Sequence, residues 1–578
     1  MASCRQLDAS GRARIGKLIC FSLLLAAAVC SAAAQGIPSD AERLSASRNA
    51  FDAGKWQEAA KLAQGSSSQS PDLDFVQGLA LAKLQQWNES RLAFEAGHAK
   101  APHEPHFLIE LAGVNYKLRD FSSAKRHLRA ALRLDHRDAY TREFLGTVYF
   151  LEGNLEAALK YWNPIDKPHL RSVALQPPPL AETILQRAID FNPPQVLTRK
   201  AWLATQQRLE NLGIYSQPRI ELAPAGAGSY DATLHLAERN GWGASRLEGA
   251  ISLLSGVPYA TVYPEFYNLG HRAVNVTSLF RWDSEKRRAY AAFSTPFRND
   301  PSVRVQLYFD ARNENWNLTN TFFGAGSPLS DLNLRRIAGG AEFRSVVNGQ
   351  WTWSTGIELV NRSFRNVDGL TSAAEKTFFT DANSFAYWLR ADRSLLRVPE
   401  RRFILDSTVE VRVGRTFAQD LGAFASAHVS LDARWLPRAT GDDYEMRTRL
   451  RTVGTLGRVT LDDLFQLGIE RDNDLWLRGH AGTSGGRKGA APLGRRYFLA
   501  NWEQDKNVYA NGIFTVKLGP FLDTGAITDS SGLFGSRRWL WDAGAQCKVR
   551  VLGNVTVVLS YGRDLRGGRN VFYGTVLR

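Results

Sequence analysis

From about residue 245 to 578 the chain alternates apolar and polar side chains, and no other feature constrains its fold as tightly. Val303, Val305, Leu307 and Phe309 interleave with Arg304, Gln306, Tyr308 and Asp310. Val409, Val411 and Val413 interleave with Glu410, Arg412 and Gly414, and Phe514, Val516 and Leu518 with Thr515 and Lys517. Val555, Val557, Leu559 and Tyr561 keep the same period. Successive side chains of a strand point to opposite faces, so a period of two with one apolar face marks a strand. No helical segment of comparable length interrupts the pattern. At roughly 20 residues per strand and connection, the region holds about 16 strands. A soluble sandwich or propeller would alternate as well. Aromatic residues near strand ends (Trp282, Trp351, Trp353, Tyr561, Phe572, Tyr573) suit the two interfaces of a bilayer. A closed barrel also removes the strand edges that a bilayer cannot satisfy. The spacing therefore predicts a transmembrane β-barrel of about 16 antiparallel strands over 245–578.

The rest of the chain adds an export signal and two further domains. Arg5, Arg12, Arg14 and Lys17 precede an apolar run from Leu18 to Cys30, and Ser31-Ala32-Ala33-Ala34 follows. This order predicts a secretory signal peptide over 1–34. A lipid anchor at Cys30 is disfavoured by Val29, where such signals want a small residue. Three of the four cysteines fall in the signal, so the mature chain keeps Cys547 alone and forms no internal disulfide. No later apolar run approaches the roughly 18 residues of a helical span, which excludes a polytopic helical membrane protein. The formal charge of +15 is spread along strands and loops, and fits lumen and headgroup contacts better than nucleic acid.

Between residues 40 and 165, aromatic or apolar anchors recur at Trp56, Trp87, Phe121 and Leu155. Small residues stand three positions later at Ala59, Ser90, Ala124 and Ala158, and nine positions before the last three anchors at Gly78, Ala112 and Gly146. Small residues let the two helices of a hairpin approach, and stacked hairpins bury one another's open faces. The period resembles tetratricopeptide repeats, and a plain helical bundle is the competing architecture. His103-Glu104-Pro105-His106 is assigned to a turn between repeats, because Pro interrupts it and no further ligand stands at useful spacing.

Pro164, Pro168 and Pro177-Pro178-Pro179 predict a linker over 166–180. The next segment, 181–242, is expected to be small and mixed. A strand is predicted over Ile184–Phe191, then helix from Pro193-Pro194 to Leu212-Gly213 with Trp202 and Leu209 on one face. Strands over Arg219–Leu222 and Tyr230–Leu236 follow. The order strand, helices, strand, strand resembles a POTRA domain.

Near the C-terminus the order of features becomes specific. Leu461-Asp462-Asp463-Leu464-Phe465-Gln466-Leu467-Gly468 leads to Leu477-Arg478-Gly479-His480. A Gly-rich stretch, the strand Phe498–Glu503, Phe521-Leu522-Asp523-Thr524-Gly525 and Tyr561-Gly562-Arg563-Asp564-Leu565 follow in turn. This order resembles the BamA/TamA superfamily of outer-membrane insertases and two-partner translocators, over about 180–578. The helical repeats lie outside that pattern. The resemblance implies a loop folded into the barrel, whose Arg478-Gly479-His480 meets a wall position at Asp523 and Gly525. It also implies a weak seam between the first and last strands, the last carrying Val571, Phe572, Tyr573 and Val576. The family's aromatic after Arg-Gly is replaced by His480, which implies looser loop packing. The last residue is Arg578, where such barrels usually end in an aromatic. Arg566-Gly567 is a second Arg-Gly pair without the surrounding order.

No enzyme chemistry is expected. Gly482-Thr483-Ser484-Gly485-Gly486 fits G-x-S-x-G but lies in a strand-only region, whereas a nucleophile elbow needs strand, turn and helix. No phosphate loop or zinc motif is seen, and no cofactor or metal is expected. The resemblance implies a bacterial outer-membrane location with the N-terminal domains in the periplasm. Its implied partners are outer-membrane lipid and a client polypeptide or periplasmic accessory protein. A polysaccharide export conduit is the alternative, since helical repeats fused to a barrel also serve that task, and a passive porin is the blandest one.

Overall fold

The computed structural model describes residues 39–577 apart from 66–68, 177–179, 216–217, 227, 237–245, 321–326, 370–376, 530–533, 537 and 552–554. The predicted signal peptide and Arg578 lie outside the described residues. The described residues form two compact units, divided between Val148 and Tyr149.

The first unit is built of helices Asp40–Asp52, Trp56–Ala63, Pro71–Lys83, Trp87–Lys100, Pro105–Lys117 and Phe121–Leu134, and most of Ala139–Leu151. The anchors Trp56, Trp87 and Phe121 each open the second helix of a pair, and Leu155 opens Leu155–Trp162 in the second unit. Pro71 and Pro105 open first helices, where a missing N–H costs no helical bond. Ala59, Ser90, Ala112, Ala124 and Ala158 are fully buried, and Gly78 and Gly146 are buried too. Their smallness is a matter of close approach. Ser90 Oγ donates to the Gly78 carbonyl at 2.7 Å, and a Cβ on Gly78 would lie 2.6 Å from the Phe94 ring. His103 falls in the turn that leads to the helix from Pro105.

In the second unit a three-stranded sheet joins His169–Gln176, Ser229–His235 and Arg219–Gly226 in that spatial order, the first pair parallel and the second antiparallel. Helices Glu182–Ala188 and Arg199–Asn211 cover it. Trp202 and Leu209 are both buried in its core, and Gly213 takes φ +72° just past the helix end. Two expectations need correction. The first strand is His169–Gln176, inside the predicted linker, and Ile184 belongs to a helix rather than a strand. A bulge between Leu170 and Ser172 breaks the alternation of this edge strand, and its residues from Arg171 to Leu175 bury little. The strand therefore lacks the periodic signal that would have revealed it.

The wall follows. Glu265–Leu269, Val274–Trp282, Lys286–Phe297, Asp300–Asn320, Ser327–Asn348, Trp351–Arg365, Ala382–Val398, Phe403–Phe417, Ala423–Trp435 and Tyr444–Leu456 pair each with the next. Arg496–Ala510, Phe514–Thr528, Leu540–Val551, Val555–Asp564 and Asn570–Leu577 continue the ladder. The sheet closes into a barrel. Of the 18 segments in the closed order, Thr483–Ser484 and Arg487–Lys488 belong to a loop hairpin, which leaves 16 segments making fifteen wall strands among the described residues, one fewer than the expected 16. Two of these, Thr261–Val262 and Glu265–Leu269, both pair with Val274–Trp282 and form one interrupted strand.

The outward face carries Leu307, Phe309, Ile357, Leu359, Phe385, Leu389, Val409, Val411, Val413, Leu518 and Leu522, all exposed. An apolar band around the outside of a closed sheet is what a bilayer-spanning barrel presents. Trp282 and Trp351 stand exposed at strand ends as the girdle reading requires. Tyr573 does not, for it alternates with the outward Phe572 and turns to the lumen. From Glu265–Leu269 round to Asn570–Leu577 there are fourteen antiparallel steps, an even number. The first and last strands therefore run in the same direction. At the closure the last strand adjoins the two-residue strand Thr261–Val262.

The small domain docks on the barrel's turns at one end. Asn275 Nδ2 donates to Leu212 O at 2.9 Å, Asn211 Nδ2 to Pro301 O at 3.0 Å, and the Ala181 N–H to His271 O at 2.7 Å. Helix Leu155–Trp162 meets the turn Pro399–Arg401, where Lys160 and Tyr161 both bond Glu400.

Candidate functional site

Tyr444–Leu456 and Arg496–Ala510 pair directly, with Gly454 opposite Arg496, so residues 457–495 form one excursion from the wall. The excursion folds into the lumen. Leu467, Leu475 and Leu477 pack with the inward Val453, Tyr497, Leu499 and Ile527. Inside the excursion Phe465–Gln466 pairs with Leu493–Gly494, and a hairpin joins Thr483–Ser484 to Arg487–Lys488.

Ion pairs fasten this loop at three places. Near its start Asp462 and Asp463 meet Arg336, Arg362 and Arg412, and Arg362 Nη1 lies 2.8 Å from Asp463 Oδ2 with both side chains buried. Further on, Asp472 accepts from Arg281 at 2.5 Å and from Arg288 at 3.0 Å, while Glu470 meets Lys286 at 3.2 Å. Lys488 joins this group by pairing Glu314 at 3.0 Å. Opposing charges outweigh burial here, holding Asp463 below and Asp472 well below the usual carboxylate range and raising Lys488.

The third place is Arg478-Gly479-His480. Arg478 Nε donates to Asp523 Oδ2 at 2.8 Å and Nη2 to Asp523 Oδ1 at 2.6 Å, a two-pronged contact of the kind that fixes orientation as well as charge. Its Nη1 donates to Glu503 Oε1 and Gln546 Oε1, each at 2.8 Å, and its backbone N–H to Asp523 Oδ2 at 3.1 Å. The guanidinium lies 3.8 Å from the Phe521 ring centroid. Burial would lower the Arg478 pKa, but Asp523 and Glu503 outweigh it and raise it. Asn501 completes the seat, donating to Asp523 Oδ1 at 2.7 Å and to the Trp476 carbonyl at 2.7 Å.

Glycine is required beside Arg478 for a steric reason. A Cβ on Gly479 would stand 2.5 Å from the Asp564 backbone N and 2.6 Å from Asp542 Cγ. Across the contact, a Cβ on Gly562 would stand 2.3 Å from the Arg478 carbonyl oxygen. The loop backbone thus lies directly on the wall. The Gly479 N–H donates to Asp542 Oδ2 at 2.5 Å, and His480 Nδ1 lies 3.1 Å from the same oxygen. His480 is held between Asp542 and Asp564, so the looser packing expected from a missing aromatic is replaced by polar contact.

The structure thus brings Arg478, Gly479, His480 and Asp523 together. Gly525 stays in the wall, where a Cβ would meet the Phe498 carbonyl at 2.7 Å. Arg566 is exposed and outside the contact. Val571, Phe572, Tyr573 and Val576 lie on the last strand, and Phe572 is the most exposed of them. Tyr573 reaches the Arg471 backbone of the loop, while the Arg471 guanidinium lies 3.3 Å from the Tyr259 ring centroid. The loop therefore touches both flanks of the closure from inside. The acidic fastenings and Arg471 were not singled out from the sequence. The available signal was a set of arginines at inward positions of five strands between Val274 and Phe417, Arg281, Arg288, Arg336, Arg362 and Arg412, facing acids in one loop.

No protein-family model matches the sequence. No curated protein matches it either. Solved structures do. CdiB from Escherichia coli aligns at 16% identity over 71% of this chain and 75% of that one, with a TM-score of 0.46. BamA from Haemophilus ducreyi lacking POTRA domains 1–3 aligns at 11% identity over 71% and 84%, with a TM-score of 0.41. CdiB from Acinetobacter baumannii aligns at 13% identity over 71% and 73%, with a TM-score of 0.42. These three neighbours are barrels of the BamA and CdiB kind.

Proposed function

We propose that this chain is an outer-membrane protein that inserts or translocates other polypeptides, with its helical repeats and POTRA-like domain in the periplasm binding the client. One observation carries the reading: a lumen loop fastened at three places also touches both flanks of the closure, through Arg471, Tyr259 and Tyr573. A passive pore has no use for a plug so anchored. The closure itself is the wall's weak line, because a two-residue strand meets a last strand that runs parallel to its neighbour. Arg219–Gly226 is an edge strand of the small sheet, and an edge of that kind accepts an added strand from an extended client. Folding of the client supplies the driving free energy.

The test is deletion of the gene in its native organism with quantitative proteomics of outer membrane and culture medium. Depletion of a few barrel proteins, or of one secreted protein, is expected and names the client. An unchanged proteome with altered surface sugar would replace this reading by polysaccharide export.

A further inference from the structure

We propose that His480, Asp542 and Asp564 bind a divalent transition-metal ion of the zinc kind where the loop meets the wall. Asp523 pairs in register with Asp542, and Asp542 with Asp564, so three aspartates face one another on adjacent strands. All three are buried, at 0%, 0% and 6% exposure. Like charges directly opposite on a sheet repel, and burial removes the water that would screen them. Arg478 neutralises Asp523 with two prongs. The other two carboxylates share one imidazole.

The geometry around that imidazole is a prepared seat. One oxygen of each carboxylate is fixed by a backbone N–H: Gly479 donates to Asp542 Oδ2 at 2.5 Å and Arg566 to Asp564 Oδ1 at 2.9 Å. The remaining oxygens face His480. Asp542 Oδ1 is buried without a hydrogen-bond partner, although His480 Nδ1 lies 3.1 Å from it, because the ring nitrogen is shared with Oδ2 at the same distance. On the other side His480 Nε2 stands 3.6 Å from Asp564 Oδ2, beyond hydrogen-bond length. One donor atom from each residue lies within 4.8 Å of the others. Ligand atoms bound at about 2.0–2.2 Å around one tetrahedral ion stand about 3.3–3.6 Å apart, so one ring nitrogen must turn to both carboxylates and the three donors must close by up to about 1.5 Å. One imidazole and two carboxylates suit a borderline ion, with the fourth position left to water. Two positive charges balance two carboxylates, which a proton on His480 alone does not. Gly479 leaves the space, since its missing Cβ would lie 2.6 Å from Asp542 Cγ. Residues 480, 542 and 564 are far apart in sequence, which is why no ligand spacing reveals them. The ion would tie the loop to two wall strands, independently of what the protein transports.

The test uses the full chain in detergent micelles, stripped with a chelator and dialysed against micromolar zinc, with metal content measured by mass spectrometry. About one zinc per chain is expected in the parent, with at least about tenfold weaker retention in His480→Phe and Asp564→Asn. Heat-modifiable gel migration checks that each variant forms its barrel. Cobalt in the parent, which needs no variant, should give the visible absorption of a four-coordinate site with a nitrogen donor. Equal zinc in parent and both variants overturns the assignment. So does a parent that keeps no zinc and gives no cobalt bands.

Discussion

Arg478→Ala isolates what the third fastening contributes. Arg478 and Asp523 are both buried, at 1% and 0% exposure, so solvent screens neither. Breaking a buried pair by removing one partner costs about 3–5 kcal/mol, chiefly because the surviving charge is left uncompensated. At about 1.4 kcal/mol per decade, the local opening constant around residues 476–480 should rise by roughly two to three and a half decades. Amide exchange reads this directly. The Arg478 and Gly479 N–H groups donate to Asp523 and Asp542, and both should exchange at least about a hundredfold faster in the variant. The Asp463 N–H, which donates to Thr460 in a segment fastened by Arg362, should change little. Arg566→Ala, at an exposed arginine of the other Arg-Gly pair, should leave all of these within a few-fold. Adding Asp523→Asn to Arg478→Ala should recover part of the loss, because it removes the orphaned charge. Client handling should fall in Arg478→Ala and not in Arg566→Ala at equal membrane levels. Unchanged exchange at residues 478 and 479 in Arg478→Ala would refute the view that this pair holds the loop.

Two further outcomes follow from the same geometry. Gly562→Ala places a Cβ 2.3 Å from the Arg478 carbonyl, a backbone atom that cannot swing away, so the loop must lift. A cost of about 1–3 kcal/mol is expected in the denaturant midpoint, and a midpoint equal to the parent's would show that the contact has slack. Asp472 sets the pH response of the second fastening. Burial would raise its pKa, but Lys488, Arg281 and Arg288 hold it well below the usual carboxylate value. A depressed folded-state pKa stabilises above the unfolded value and loses that stabilisation as pH falls through the folded one. Exchange around Glu470–Asn473 should therefore be flat from about pH 7 to 5 after correction for intrinsic rates, and quicken only below about pH 4. Loosening already between pH 7 and 5 would assign the fastening to another group.

The sequence made some features legible and hid others for identifiable reasons. The wall was readable because each strand has one apolar outward face, so period two survives across about 330 residues. The helical pairs were readable because the anchors and small residues sit at helix starts and close crossings, as at Trp87 and Gly78. The strand His169–Gln176 was hidden by its bulge, and the prolines around it pointed to a linker. Arg478 and Asp523 were found through motif order. Arg281 and Asp472, 191 residues apart, obey no local pattern, and an inward arginine looks like any polar half of an alternating strand. The row Asp523, Asp542, Asp564 exists only through register, which alternation alone does not specify.

The three fastenings together restrict how the barrel can open. The acids Asp462, Asp463, Glu470 and Asp472 meet cations on the strands between Val274 and Phe417, whereas Arg478 and His480 meet carboxylates on those between Arg496 and Asp564. Turning the loop around would set these acids against Glu503, Asp523 and Asp542, and Arg478 against Arg281 and Arg288, although Lys488, which pairs Glu314 on the first set of strands, departs from the pattern. Expelling the loop exposes both halves at once. Each buried charge left without its partner costs several kcal/mol, and entering water offsets only part of that. The closure is far weaker. Thr261–Val262 has two residues, and separating so short a strand from its neighbour forfeits backbone hydrogen bonds worth about 1 kcal/mol each. The inequality favours parting the wall beside Tyr259 and Tyr573 over emptying the lumen. Arg471, in contact with both and fixed to the plug, makes that parting sensible to the loop.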